Sequence, residues 1–287
     1  MAGAQLKING YLMVNALTVD VEDYFQVAAF ARQIDPSTWD RMPLRVERNT
    51  ERLLALFGER GVKSTFFVLG WVAERCPGLV RTIAAQGHEV ACHGYSHQLI
   101  YMQTLPVFRE ETVRAKACLE DQVQRPVLGY RAASYSITQR SLWALDALVE
   151  AGFAYDSSIF PIRHDRYGIP GSPRWPYRLT TPNGGSLVEF PPSTYAVLGY
   201  PVPVAGGGYF RQYPYALTRL ALGRINRKDD RPFIFYLHPW EIDPEQPRIP
   251  AGWMSRFRHY TNLGRCEERL KRLLNDFSFA TVSDVLG

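Results

Sequence analysis

The sequence is poor in cysteine. Only Cys76, Cys92, Cys118 and Cys266 occur in 287 residues, with no CxxC among them. That spacing excludes a disulfide frame and a zinc knuckle, and it points to a reduced compartment with cysteines packed as small apolar side chains. Blocks of like charge are missing too. The 33 basic residues exceed the 28 acidic ones by five, spread along the chain, which describes a solvated surface and not a nucleic-acid footprint. No GxxxxGKS or GxxxxGKT exists, so Gly206-Gly207-Gly208 is not a phosphate loop and nucleotide chemistry is disfavoured. No repeat and no low-complexity linker interrupts the chain.

A usable membrane segment is also missing. Phe190 to Phe210 is an uncharged run of 21 residues, but Pro191, Pro192, Pro201, Pro203 and four glycines would break any lipid-exposed helix. It reads as a long loop. Ile8 to Val19 is uncharged as well, yet it holds Asn9 and Asn15, lacks a small-residue cleavage site and runs into Asp20. That is the approach to a first strand and not a signal peptide. The expectation is a soluble, cytoplasmic protein with no membrane span, export staying open if a leader was removed.

What is present is an ordinary globular composition. Apolar residues at 46% and charged residues at 21% exclude intrinsic disorder. Strand-like and helix-like segments alternate. Strands are expected at Asn15–Val19, Ser64–Leu69, His88–Cys92, Phe233–Leu237 and Phe279–Val282. Helices are expected over 44–60, 79–85, 106–124, 138–150 and 266–275, several closed by Gly61, Gly87 or Gly152. Residues 161–214 are rich in Pro, Gly and Tyr with little helical period. Alternation of this kind defines a parallel α/β architecture, whose functional groups gather at the carboxyl ends of strands. The residues at those ends are Asp20 to Asp23, Trp71, His93 to His97, Arg131, Asp156 and His238.

His93-Gly94-Tyr95-Ser96-His97 is an HxxxH spacing just past a strand. Two imidazoles four apart share one face of a helical turn and can chelate one metal. A third ligand is needed, and the acidic cluster Asp20, Glu22, Asp23 supplies it, since three clustered carboxylates repel without a cation, a proton or a basic partner. Arg131 is a candidate to neutralise and orient one of them. His238 follows the most apolar strand of the chain and points into the mouth of a barrel, where a general acid is needed.

These residues carry a resemblance. TVDVEDYF (Thr18–Phe25), EVACHGYSH (Glu89–His97), GYRAASYS (Gly129–Ser136), AYDSSIF (Ala154–Phe160) and FYLHPWE (Phe235–Glu241) resemble the motifs of the polysaccharide deacetylases (NodB homology, carbohydrate esterase family 4). They are most similar to the branch associated with exopolysaccharide loci and exosortase systems. The likeness spans roughly residues 15 to 285.

The resemblance implies a distorted (β/α)7-type barrel forming one catalytic domain over residues 1–287, with a Pro/Gly/Tyr-rich elaboration from about 157. It implies one divalent metal, zinc first, with Co, Ni, Mn or Fe as alternatives that affinity order does not separate. Asp20 would be the general base, His93 and His97 ligands, Arg131 the group orienting Asp20, His238 the general acid and Asp156 its tether. Backbone N–H groups near Tyr135 would help bind the oxyanion. Two departures stand out. Val21 separates the acidic pair, so the carboxylate ligand is Glu22 or Asp23: strand alternation puts Glu22 on the face of Asp20, while a turn would present Asp23. Ala133 stands where an Arg-x-Pro pattern is common, which weakens the oxyanion assignment. The implied reaction is metal-dependent removal of N-acetyl groups from an amino-sugar glycan, releasing acetate. The alternatives are allantoinase-like opening of a cyclic ureide, with a small closed pocket, and a non-catalytic glycan-binding module. An open groove lined by Trp175, Tyr177, Tyr195, Tyr200, Tyr209, Tyr213, Trp240 and Trp253 is the expectation for a glycan.

Overall fold

The computed structural model describes residues 7–8 and 11–287. Residues 9 and 10, inside the uncharged Ile8–Val19 stretch, lie outside the described residues. The chain has an α/β fold and clusters into two compact units, residues 1–65 with 195–287, and residues 66–194.

The first unit is built on the strand Val14–Val21, buried from Asn15 onward. Burial on both faces is what a central parallel strand requires, and it explains the near-continuous apolar run. Ile234–Leu237 and Ser278–Ala280 both pair with it in parallel, and Ala16 has a partner in each. The one buried polar residue at its start is satisfied on all sides. Asn15 exchanges hydrogen bonds with Asn226, accepts from the Phe233 N–H and donates to the Ser278 carbonyl. One side chain thus ties a helix and two strands to the first strand. The helix Val46–Gly58 buries Leu53, Leu54, Leu56 and Phe57, and Leu263–Asp276 buries Leu263, Cys266, Leu270, Leu273 and Leu274. Both stripes repeat at three and four residues, the spacing that aligns side chains on one helix face.

The second unit is a sheet in the order Thr65–Val68, Glu89–Cys92, Gly129–Tyr130, Tyr155–Asp156, Ser186–Glu189, Tyr177–Thr180. Its pairs Cys92↔Tyr130, Tyr130↔Asp156 and Asp156↔Glu189 are parallel, and the last strand closes antiparallel. Each carboxyl end therefore falls at one level, bringing His93, Arg131, Asp156 and Glu189 to one rim. The close register needs Gly129, where an added Cβ would sit 2.1 Å from the Tyr155 ring.

Most expected elements appear within a few residues of their expected bounds. Two differ for physical reasons. The helix expected from Thr138 begins at Trp143, because Ser141 Oγ accepts from the Thr138 N–H and donates to the Ser136 carbonyl, holding that stretch as a turn. The long loop Phe190–Phe210 contains the strands Thr194–Val197 and Tyr200–Pro203, joined at Leu198 and Gly199, both at positive φ, as a two-residue hairpin turn demands. Helices Gly70–Arg75, Tyr215–Lys228 and Trp253–Tyr260 were not anticipated. All four cysteines are free. No helix among the described residues is long and apolar enough to cross a membrane.

Candidate active site

In the first unit, the strand Val14–Val21 delivers Asp20 and, one and two residues past its end, Glu22 and Asp23, all three buried. Asp23 is fully engaged. Its Oδ1 accepts from the Tyr24 N–H at 2.8 Å, and its Oδ2 accepts from the N–H groups of Arg45 and Val46 at 2.7 and 2.9 Å. The carboxylate therefore sits at the N-terminus of the helix Val46–Gly58, where the exposed N–H groups and the helix dipole favour negative charge. Asp23 is a structural anchor, and of the two candidate ligands only Glu22 remains available. Asp23→Ala is expected to cost about 2–3 kcal/mol, because it strands buried N–H donors, while metal content stays at the wild-type level. Denaturant unfolding and elemental analysis check the two halves separately.

His238 stands at the end of Ile234–Leu237. Its Nε2 lies 3.5 Å from Glu22 Oε1 and 3.9 Å from Asp20 Oδ2, and its Nδ1 lies 3.1 Å from Glu241 Oε2. Burial opposes charge on this ring, but the Glu22, Glu241 and Asp20 carboxylates outweigh it and raise the pKa to about 9. His238 is thus an imidazolium at neutral pH. Glu241 is itself held by Arg211, whose Nε approaches Glu241 Oε1 at 2.6 Å, both side chains being 1% exposed. Arg211 spends its other N–H groups on the carbonyls of Arg258, His259 and Thr261. Although burial pushes the other way, Arg211 and His238 hold the Glu241 carboxyl down at about 2. Trp240 stacks between His238 and His259, with ring centroids 5.0 and 4.2 Å away, and its Nε1–H donates to Glu22 Oε1 at 3.1 Å. Trp240 is therefore packing within the site, not groove lining. Burial and the Arg211 charge depress His259 to about 3, so that ring stays neutral.

In the second unit, His93 follows Glu89–Cys92 and is buried. Its Nδ1 sits 2.8 Å from the Arg131 carbonyl oxygen. A carbonyl only accepts, so Nδ1 carries the proton and Nε2 presents its lone pair, as a metal-ligating imidazole requires. The segment His93 to His97 is not the helical turn that the spacing suggested. Gly94 and His97 have φ of 76° and 54°, and the loop is pinned by Gly70 and Trp71 N–H donation to the Gly94 and Tyr95 carbonyls. The two imidazoles still come together, with ring centroids 5.4 Å apart. In this unit His93 and His97 offer two imidazoles that could share one metal ion, and in the first unit Glu22 offers a carboxylate of the kind that completes such a donor set.

Arg131 is buried, its guanidinium 4.1 Å above the Phe67 ring and bonded to the Ser157 carbonyl and hydroxyl. Tyr135 and Ser134 both have positive φ, and the Tyr135 N–H donates to the Ala132 carbonyl at 3.0 Å. That N–H is spent in a turn, so the oxyanion role expected near Tyr135 does not fall to its own amide. Nor is the tether of His238 the residue expected: Glu241 takes its Nδ1. Asp156 instead accepts from Ser158 and lies in register with Glu189, both fully buried. Burial raises Asp156 to about 6, and burial plus the Asp156 charge raises Glu189 well above the carboxylate range. Two such neighbours disfavour simultaneous ionisation. Glu189, Glu241 and Arg211 were missed in the sequence. Only Glu241 carried a signal, standing three residues after His238 in a capping-box pattern.

The second unit thus carries two neighbouring imidazoles, and the first carries Asp20, Glu22 and His238 as acid- and base-bearing groups of an α/β protein. Residues 36–154 match the family described as "Polysaccharide deacetylase", and residues 157–287 match "Domain of unknown function (DUF3473)". Residues 36–154 are thus similar to polysaccharide deacetylases, over less than half of the chain. Similar curated proteins include a peptidoglycan-N-acetylglucosamine deacetylase of Bacillus cereus, 33% identical over 70 residues, 24% of this chain and 26% of that protein. Another is a chitooligosaccharide deacetylase of Rhizobium leguminosarum bv. trifolii, 34% identical, covering 34% of this chain and 51% of that protein. The chain thus spans about half or less of the length of these relatives. Among solved structures, a candidate polysaccharide deacetylase from Mycobacterium smegmatis matches with a TM-score of 0.62 at 21% identity, over 99% of this chain and 93% of that one. An allantoinase matches with a TM-score of 0.56 at 18% identity, over 94% and 87%. Both are (β/α)7-barrel-like α/β folds, as expected for this chain.

Proposed function

We propose that the chain is a metal-dependent hydrolase that removes N-acetyl groups from an amino-sugar glycan, in one catalytic domain elaborated by residues from about 157 onward. The observation that carries this reading is the cluster in which the partly exposed His238, whose charged form the carboxylates favour, faces the buried Asp20 and Glu22. It joins a base and an acid, the two proton carriers that amide hydrolysis needs. His93, His97 and Glu22 would hold the ion, and the fixed tautomer of His93 fits that role. When bound, a divalent ion supplies Lewis-acid polarisation of the acyl oxygen and acidifies water.

The chain's own residues do the rest. Asp20 takes a proton from the attacking water as the new C–O bond forms, and Arg131 is the group to which the motif likeness gives the task of orienting it. His238 delivers a proton from Nε2 to the departing nitrogen as the C–N bond breaks. Glu241 fixes the ring through Nδ1 and stabilises its charge. The balance is amide plus water to acetate plus free amine. The motif likeness supports the exopolysaccharide branch as the source of the glycan.

The test is acetate release from N-acetylglucosamine oligomers by protein loaded with zinc, against chelated protein and against Asp20→Asn. Asp20→Asn is expected to retain the ion and lose roughly 10²–10⁴-fold in turnover, the size of a missing general base. If no N-acetylated glycan releases acetate in any metal form while allantoin is opened, the cyclic-ureide reading replaces this one.

A further inference from the structure

Three loops of the second unit meet around a cavity that the proposed chemistry does not use. Tyr101, Arg140, His164, Arg166 and Tyr167 line it, and its volume is about 310 Å³, within the range of a small-molecule site. Its walls are fixed to the site's own loops. Tyr101 follows His97 by four residues, a reach of at most about 14 Å along the chain, and Thr138 follows Tyr135 by three. The Ile100 N–H donates to Ser136 Oγ at 2.9 Å and locks those two loops together. The third loop is preformed: the N–H groups of Ile162 and Ile169 both donate to the Phe160 carbonyl, and Gly168, at φ 96°, has no room for a Cβ, which would lie 2.3 Å from the Ile162 carbonyl oxygen.

Aromatic rings run through these loops. The Tyr135 ring meets Phe160 and Tyr167 edge-on at 5.3 and 6.1 Å, Phe160 and Tyr167 stack, and His164 stacks on Tyr167 at 3.8 Å. Charge is unbalanced at the same place. Arg140 and Arg166 are exposed, and neither guanidinium has an ion-pair partner among the described residues. The charges of both act on the Tyr101 hydroxyl, as does the opposing charge of Asp165. Asp165 is the one acid of the cavity among the described residues, its Oδ1 2.9 Å from His164 Nδ1, an atom that also accepts from the Arg166 N–H. Two arginines against one carboxylate, beside the partly exposed rings of Tyr101, His164 and Tyr167, make a platform for a sugar face with an anionic substituent alongside.

We propose that this cavity is a subsite for an acidic sugar of the glycan, one bearing a carboxylate or phosphate, adjoining the sugar that is deacetylated. The inference rests on the deacetylase reading for its orientation toward His97 and Tyr135, but its binding test does not.

The test is calorimetric titration of the full chain with three probes: neutral N-acetylglucosamine tetramer, a tetramer alternating N-acetylglucosamine with glucuronate, and N-acetylglucosamine tetramer carrying a 6-phosphate. At low salt an acidic tetramer should bind about tenfold or more tighter than the neutral one, as a charge-assisted contact supplies, and the preference should shrink as salt screens it. The tighter of the two acidic probes names the group. Arg140→Gln and Arg166→Gln should each lose part of the preference and together abolish it, leaving neutral-tetramer affinity and turnover within about twofold. Equal affinity for all three probes, or a preference that survives in the double variant, overturns the subsite. If the arginine-dependent preference holds while no glycan is deacetylated, the subsite stands and the catalytic reading falls. Turnover without preference has the opposite meaning.

Discussion

His93→Ala is expected to strip the bound divalent ion and abolish acetate release while leaving the unfolding midpoint within about 1 kcal/mol of wild type. The separation follows from where the residue stands. Its backbone belongs to the rim of the second unit, with its N–H donating to the Val68 carbonyl, a bond that alanine keeps. Its ring contributes the Nδ1 bond to the Arg131 carbonyl and the Nε2 lone pair. Alanine removes both, but the carbonyl orphaned is one neutral acceptor, costing about 1 kcal/mol, whereas the ion loses one of three protein ligands. His97→Ala should behave alike. Elemental analysis of the purified variants decides it: full metal occupancy in either refutes the ligand assignment, and unfolding at low denaturant shows instead that the histidine is structural.

The sequence located these ligands through strand ends, not through helical geometry. The apolar runs STFFVL and FIFYL, and the β-branched approach to Asp20, marked central parallel strands because such strands are buried on both faces and leave no alternation to misread. Once those strands are placed, Asp20 and His238 follow as the residues just beyond them, and His93 follows the short strand His88–Cys92. The HxxxH argument expected His93 and His97 to meet through a helical turn that is not there, although the rings do lie 5.4 Å apart. Gly94 opens a loop at positive φ, and the rings converge because the loop doubles back under hydrogen bonds from Gly70 and Trp71. Spacing alone does not distinguish those two routes.

Long-range partners were not readable. Nothing near Arg211 in the sequence says that its guanidinium spans 30 residues to Glu241, nor that Asn15 is satisfied by Asn226, 211 residues away. Glu189 looked like an ordinary acidic residue of a Pro- and Gly-rich stretch until the register set it beside Asp156. Asp23 is the instructive case. Next to Glu22 it offers the same chemistry, and only the N-terminus of the helix Val46–Gly58, 23 residues on, removes it from the ligand set. Local pattern found the carboxylates, and tertiary hydrogen bonding divided their tasks.

His238→Ala should reduce hydrolysis of an N-acetyl amide by roughly 10²–10⁴-fold, the range for a lost general acid, and hydrolysis of an aryl acetate by less than about tenfold, with metal content unchanged. The difference lies in the leaving group. An amine does not depart as its anion, so C–N cleavage requires a proton from a group already placed at the nitrogen. A phenol ionises near pKa 10 and departs as phenoxide without help. In the wild type, the carboxylates of Glu22, Glu241 and Asp20 raise His238 to about 9 against the effect of burial. The acid form therefore persists through neutral pH, and amide turnover should fall as pH rises through about 9. The same raised value means that protonation stabilises the folded state: that stability is complete below the ordinary histidine pKa of about 6.5 and is lost as pH rises through 9. The variant should lose both alkaline limbs together, in the rate on the amide and in the denaturant midpoint. Equal losses on amide and aryl ester would instead mark His238 as a residue that positions Glu22 and Trp240, and the proton donor would have to be another group.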